Sequence, residues 1–289
     1  MHAFHQYDLS LHHGSLAVIE LGPNNADNAV LFLHGWQDNA ATFLSTMTAF
    51  SVSNPTCRLI AFDWFGHGLS DHKGVDNFYH FFDYVDDLHQ AILSLKLDSV
   101  ILVGHSLGGL IASAYSGAFP EKVAALMMIE ALGPLSEEAE KTSERLREGV
   151  LSRQRYRHKP QRTLKDRQAA LALRSKVNQL PEVLLEPIMQ RAVRSTSDGV
   201  QWTTDAKVKC ESLYRMSEAH ALALLSDITC PVIVIIGVDG YEHLKQKEYR
   251  YSYIQHVESF QIEGGHHCHL QHPEKISTYL NVLFNKINT

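Results

Sequence analysis

The chain has little cysteine: four in 289 residues, at Cys57, Cys210, Cys230 and Cys268, with no C-x-x-C pair among them. That spacing excludes a disulfide framework and a cysteine zinc site. It has no run of 18 uninterrupted apolar residues, so no membrane span is expected. It has no basic excess: 26 Lys and Arg stand against 32 Asp and Glu, a net charge of −6, which argues against a nucleic-acid partner. The start, MHAFHQYDLSLHHG, has no basic segment leading into an apolar run, so no signal peptide is expected. Internal repeats and low-complexity tracts are absent as well. A reducing, cytoplasmic setting is the expectation these absences leave.

What is present is ordinary globular composition, 45% hydrophobic and 20% charged. The length suits one large α/β domain or two modest ones. Short apolar runs recur at 29–33, 59–62, 100–103, 124–129, 232–236 and 259–262. Most are nearly continuous rather than alternating, as strands of a parallel sheet covered on both faces must be. Helical patterns lie between them, at 39–50, 78–96, 107–118, 241–254 and 273–286. This alternation predicts a doubly wound, mostly parallel α/β sheet. YDLSL and LAVIEL, parted by His12, His13 and Gly14, predict an antiparallel hairpin at one edge.

The rhythm stops between 134 and 226. That stretch carries no strand pattern and looks helical, with Ser136 as a helix start. The expected organisation is therefore a core of residues 1–133 and 227–289, with a helical lid of 134–226 inserted after the sixth strand. Such an insertion would overhang the strand ends where open α/β sheets bind ligands.

The strongest local signal is VILVGHSLGGLIASAYSGA, where Ser106 sits in Gly104-His105-Ser106-Leu107-Gly108 between a strand and a helix. G-x-S-x-G in that context makes a nucleophile elbow: small neighbours let the turn close, and the hydroxyl stands above the sheet. Upstream, His34-Gly35-Trp36 ends a strand. The backbone N–H groups of Trp36 and Leu107 are the natural pair for an oxyanion hole, and Asp38 or Asn39 the natural helix cap. AFDWFGHGLSD reads as a structural turn at the same end of the sheet.

Near the C-terminus, EGGHHCHLQHPEK packs His266, His267, His269 and His272 into seven residues. No upstream cluster of carboxylate and histidine joins them in the sequence, so metal ligation is not expected. The alternative is a loop that brings one imidazole, His266, to the serine as general base.

These motifs together resemble the α/β-hydrolase superfamily over essentially the whole chain, most closely its serine hydrolase-like branch. The resemblance implies nucleophile Ser106, base His266 and no cofactor. Its acid departs from the commonest pattern. Where that pattern has aspartate three residues after the turn glycine, Gly237 in VIVIIGVDG, this chain has Gly240, with Asp239 one place early. Some relatives, certain haloalkane dehalogenases among them, carry the acid after the preceding strand. That spacing falls on Glu130, 24 residues beyond Ser106. Glu130 ends an apolar run, and a buried carboxylate needs a partner, which favours it; Asp239 remains the alternative.

The expected activity is hydrolysis of a small carboxylic ester or thioester through an acyl-enzyme. A cofactor-free perhydrolase or C–C hydrolase using the same triad, or a low-turnover binding protein, are the alternatives. Trp36, His105, Trp202 and Leu222 are candidate pocket residues. Between Lys141 and Lys176 stand twelve basic residues and three acids, either a solvated face or a positive rim for an anionic substrate.

Overall fold

The computed structural model describes residues 3–26, 28–157 and 159–288. Eight strands form the main sheet: β1 (His5–Leu11), β2 (Gly14–Leu21), β3 (Ala29–Leu33), β4 (Arg58–Phe62), β5 (Val100–His105), β6 (Val123–Ile129), and later β10 (Val232–Gly237) and β11 (Val257–Ile262). Their order is β1-β2-β4-β3-β5-β6-β10-β11. β1 and β2 form the expected edge hairpin, with Leu11 opposite Gly14. β2 meets β4 antiparallel. Every pair from β4 to β11 is parallel.

The continuous apolar runs become strands because both faces of the sheet are covered. Along β3, Leu31 and Leu33 join one buried cluster, while Val30 and Phe32 join the other. The first cluster takes in residues of α2 (Phe81–Ser94) and α3 (Leu107–Ala118). The second takes in residues of α1 (Leu44–Ser53) and α10 (Pro273–Ile287). Among the described residues no helix is long and apolar enough to cross a membrane.

The stretch 134–226 differs from its expected all-helical form. It holds α4 (Thr142–Tyr156), α5 (Arg167–Asn178), α6 (Glu182–Ala192) and α7 (Glu218–Ser226). It also holds a second, antiparallel sheet of β7 (Thr163–Leu164), β8 (Val193–Thr196) and β9 (Gly199–Trp202). These strands have two to four residues, too few to show a period. Only Asp198-Gly199 signals the β8–β9 turn, and Gly199 takes φ 139° there. Ser136 does not start a helix. It is buried, and its hydroxyl donates to Glu218 Oε2 at 2.6 Å. The helix expected at 241–254 breaks into α8 (Glu242–Lys245) and a 3-10 turn at Glu248–Tyr253, followed after β11 by the short α9 (Cys268–Gln271).

Candidate active site

The parallel strands bring their C-terminal ends to one edge of the sheet, and Trp36, Ser106, Glu130, Asp239 and His266 follow those ends in the chain. Ser106 links β5 to α3 with φ 50° and ψ −119°. This strained conformation is possible because its neighbours are small: a Cβ on Gly108 would overlap the Leu33 carbonyl. The N-terminus of α3 lies directly beneath the serine. A Cβ built on Gly35 would lie 3.3 Å from Ser106 Cβ, so the loop after β3 runs alongside the Ser106 turn. Among the described residues the N–H groups of Trp36 and Leu107 and the Ser106 hydroxyl have no hydrogen-bond partner. Asn39 caps the turn after the loop, its side chain accepting from Ala41 N at 3.1 Å.

Glu130 follows β6 directly, with φ 51° and 2% of its surface exposed. Its Oε2 meets His266 Nδ1 at 3.2 Å. Backbone donors hold the same carboxylate, Gly237 N–H at 2.7 Å and Tyr241 N–H at 3.2 Å. Such fixing makes Nδ1–H the tautomer that satisfies the pair and leaves Nε2 free to accept a proton. The Tyr241 ring stacks on His266 with centroids 4.0 Å apart. Gly240 explains the departure in the sequence pattern: a Cβ there would overlap the Glu130 carboxylate. Asp239 is exposed, and its backbone N–H is tied to Gly264 O at 3.0 Å.

The pocket residues divide. Trp202 lines a cavity of about 320 Å³. Trp36 is 51% exposed, its indole N–H donating to Val208 O at 3.0 Å, while the next residues, Gln37 and Asp38, line that cavity. His105 is a correction: it is 1% exposed and lies beneath the elbow, donating from Nε2 to His266 O at 2.8 Å. Its place in the last position of β5 turns it away from the surface that Ser106 faces. Leu222 is another correction. It packs against the core from α7 and lines none of the cavity, because α7 leans on α3.

The structure also supplies what the sequence left out around the C-terminal histidines. Asp38 and His105 join His267 and His269, one potential ligand atom from each lying within 4.8 Å of the others. Burial, then the neighbouring imidazoles, holds His105 and His269 well below the ordinary histidine range. Burial also pushes His267 down to about 4. Arg174 of α5 clamps the adjoining loop, donating to Gln37 O at 2.6 Å and standing 3.5 Å from Asp38. Asp63, fully buried after β4, accepts from Ala40 N–H and Leu69 N–H at 2.7 Å and pairs with Arg191 at 2.8 Å. It ties three segments together, the structural part foreseen for AFDWFGHGLSD.

The strand order, the elbow and the histidine–carboxylate pair define an α/β hydrolase. Residues 28–273 match the family described as alpha/beta hydrolase fold, and the chain belongs to that family. It is similar to a serine hydrolase-like protein of Danio rerio, 27% identical over 90% of this chain and 82% of the relative. A serine hydrolase-like protein of Dictyostelium discoideum is 26% identical over 93% of this chain and 79% of its own length. The crystal structure of a hypothetical protein from Pseudomonas aeruginosa PAO1 superposes with a TM-score of 0.87 at 27% identity, covering 96% of this chain and 99% of the other.

Proposed function

We propose that the protein is a serine hydrolase that cleaves a carboxylic ester or thioester through an acyl-enzyme on Ser106. The observation that carries this reading is the 3.2 Å contact between His266 Nδ1 and a Glu130 carboxylate anchored by two backbone N–H groups. His266 Nε2 takes the Ser106 proton as Oγ attacks the acyl carbon. Glu130 orients the imidazole and stabilises its cation. The Trp36 and Leu107 amides hold the developing oxyanion. His266 returns the proton to the leaving group, and a water activated by the same imidazole releases the acid. The Ser106–His266 hydrogen bond closes when substrate occupies the elbow, as such contacts often do.

Segment 134–226 serves as a lid in this reading. The cavity supports it, since its walls come from the loop after β3 and from residues 156–209. Lys159, Arg162, Arg174 and Lys209 line that cavity, with Asp38 as the acid among them. This favours substrates with a negative charge away from the scissile bond.

The test is hydrolysis of p-nitrophenyl esters from acetate to decanoate, with fluorophosphonate labelling alongside. Loss of both turnover and labelling in Ser106→Ala is expected. Undiminished turnover in that variant would overturn the mechanism. Labelling without turnover of any ester would favour a C–C hydrolase or perhydrolase using the same triad, and an unlabelled wild type the binding-protein reading.

A further inference from the structure

Beside the catalytic pair, the buried Asp38, His105 and His269 and the half-buried His267 gather at one point, and none of them takes a proton in that chemistry. Asp38 Oδ2 and the Nδ1 atoms of His105, His267 and His269 are all buried and all lack a hydrogen-bond partner among the described residues. They come from three separate segments: the loop after β3, the end of β5, and the turn and short helix before α10. The other nitrogens of two of the rings are committed. His105 Nε2 donates to His266 O at 2.8 Å, and His269 Nε2 bonds the Thr42 hydroxyl at 2.8 Å. A neutral His105 that donates from Nε2 presents a bare lone pair at Nδ1. A buried lone pair and a buried carboxylate oxygen, both without a donor, are costly unless something satisfies them.

We propose that Asp38, His105, His267 and His269 form a zinc(II) site. His105 Nδ1 and the Asp38 carboxylate oxygen can only accept, and one divalent cation satisfies both together with one nitrogen each from His267 and His269. Three imidazoles and a carboxylate suit zinc, while the nitrogen donors argue against calcium and magnesium. The neighbouring contacts have the form that metal-bound histidines require, one nitrogen on the ion and the other N–H on a fixed oxygen. Ring centroids stand 4.1 Å apart for His105–His269, 5.2 Å for His105–His267 and 6.0 Å for His267–His269. Tetrahedral bonds of about 2.1 Å place ligand atoms about 3.4 Å apart. Loading therefore draws the ligand atoms together from a present spread of up to 4.8 Å, while the rings of His105 and His269, now 4.1 Å apart, splay to make room. Gly35 keeps room for it, since a Cβ there would lie 2.9 Å from His105 Nδ1. The ion would pin the loop after β11 to the sheet at the residue next to His266. It is a brace, and its consequence for activity rests on the serine hydrolase reading; its existence does not.

The test uses the full chain, produced without a nickel-affinity step and stripped with chelator. Zinc chloride alone is then titrated in, with metal content measured by mass spectrometry. About one zinc per chain is expected, with a raised Tm. Replacing zinc by cobalt(II) is expected to give the visible absorption of a tetrahedral site. Asp38→Asn and His267→Gln should each weaken zinc at least tenfold, whereas His256→Gln, at an exposed turn, should not. If Asp38→Asn fails to fold, the less buried His267→Gln still reports. The same uptake in Ser106→Ala separates this inference from the triad. No uptake and no Tm response would overturn the proposal and leave the cluster bridged by water. Uptake insensitive to both substitutions would overturn the ligand assignment.

Discussion

The Glu130 carboxylate occupies the space that a side chain on Gly240 would need. Glu130 follows β6 and Gly240 follows β10, and the two strands are hydrogen-bonded neighbours. An acid from either turn can therefore reach the same point beside His266, but both turns cannot supply one together.

Glu130→Gln keeps the size of the side chain but removes the charge that stabilises an imidazolium. Its kcat on a good ester is expected to fall by roughly 10³–10⁴. Asp239→Asn, at an exposed turn, should stay within about twofold. Steady-state kinetics of the two variants decides it, and a collapse in Asp239→Asn alone would move the acid back to its loop.

Gly240→Ala forces a Cβ into the Glu130 carboxylate. The expected cost is about 1–3 kcal/mol of stability, the usual range for overpacking, with a loss of kcat. Denaturant unfolding measures the first and ester turnover the second. Unchanged values for both would mean that the two turns are not as close as described.

Lys159, Arg162 and Lys209 face the cavity beside Trp202. Activity on esters with an anionic acyl or alcohol part should fall steeply between 50 mM and 500 mM salt, roughly as the screening length shortens. Activity on neutral esters of similar size should not. Lys209→Ala should lower kcat/KM for the anionic substrate only. Parallel salt curves for both substrates would remove the anionic preference.

Glu218 offers a pH test of the fold. Burial raises its carboxyl, but the hydrogen bonds from Arg250, Ser136 and Tyr249 outweigh this and hold it at about 2. In the unfolded chain it titrates near an ordinary ~4.3. The stabilisation is thus complete above that value and is lost as pH falls toward the folded one. The Tm gap between wild type and Glu218→Gln should be flat from neutral pH to about 5 and shrink below it. A gap that does not narrow by pH 3 would refute the pairing.

Much of the architecture was legible because it depends on local pattern. Continuous apolar runs mark strands covered on both faces, and a serine between small residues after such a run can only sit on a tight turn. Those two facts gave away the parallel sheet and the place of Ser106, and the turn at His12-His13-Gly14 gave away the edge hairpin. The crowding of histidines near the C-terminus was equally visible, and so was the missing aspartate at Gly240.

Only the tertiary structure decided what those residues meet. β6 lies beside β10 across about a hundred residues of intervening chain, and that adjacency sets Glu130 against the turn after β10 and beside His266. Asp38 read in the sequence only as a possible helix cap, a part Asn39 takes; it meets His267 and His269 because separate crossovers bring the loop after β3 and the turn after β11 to the same sheet edge. His105 read as a pocket residue because it neighbours Ser106, yet a strand sends adjacent side chains to opposite sides. The short strands β7, β8 and β9 escaped notice because pairing rather than periodicity holds them. Local sequence sets backbone conformation and burial preference. Which buried polar groups find one another depends on strand order, which is set by packing over the whole chain.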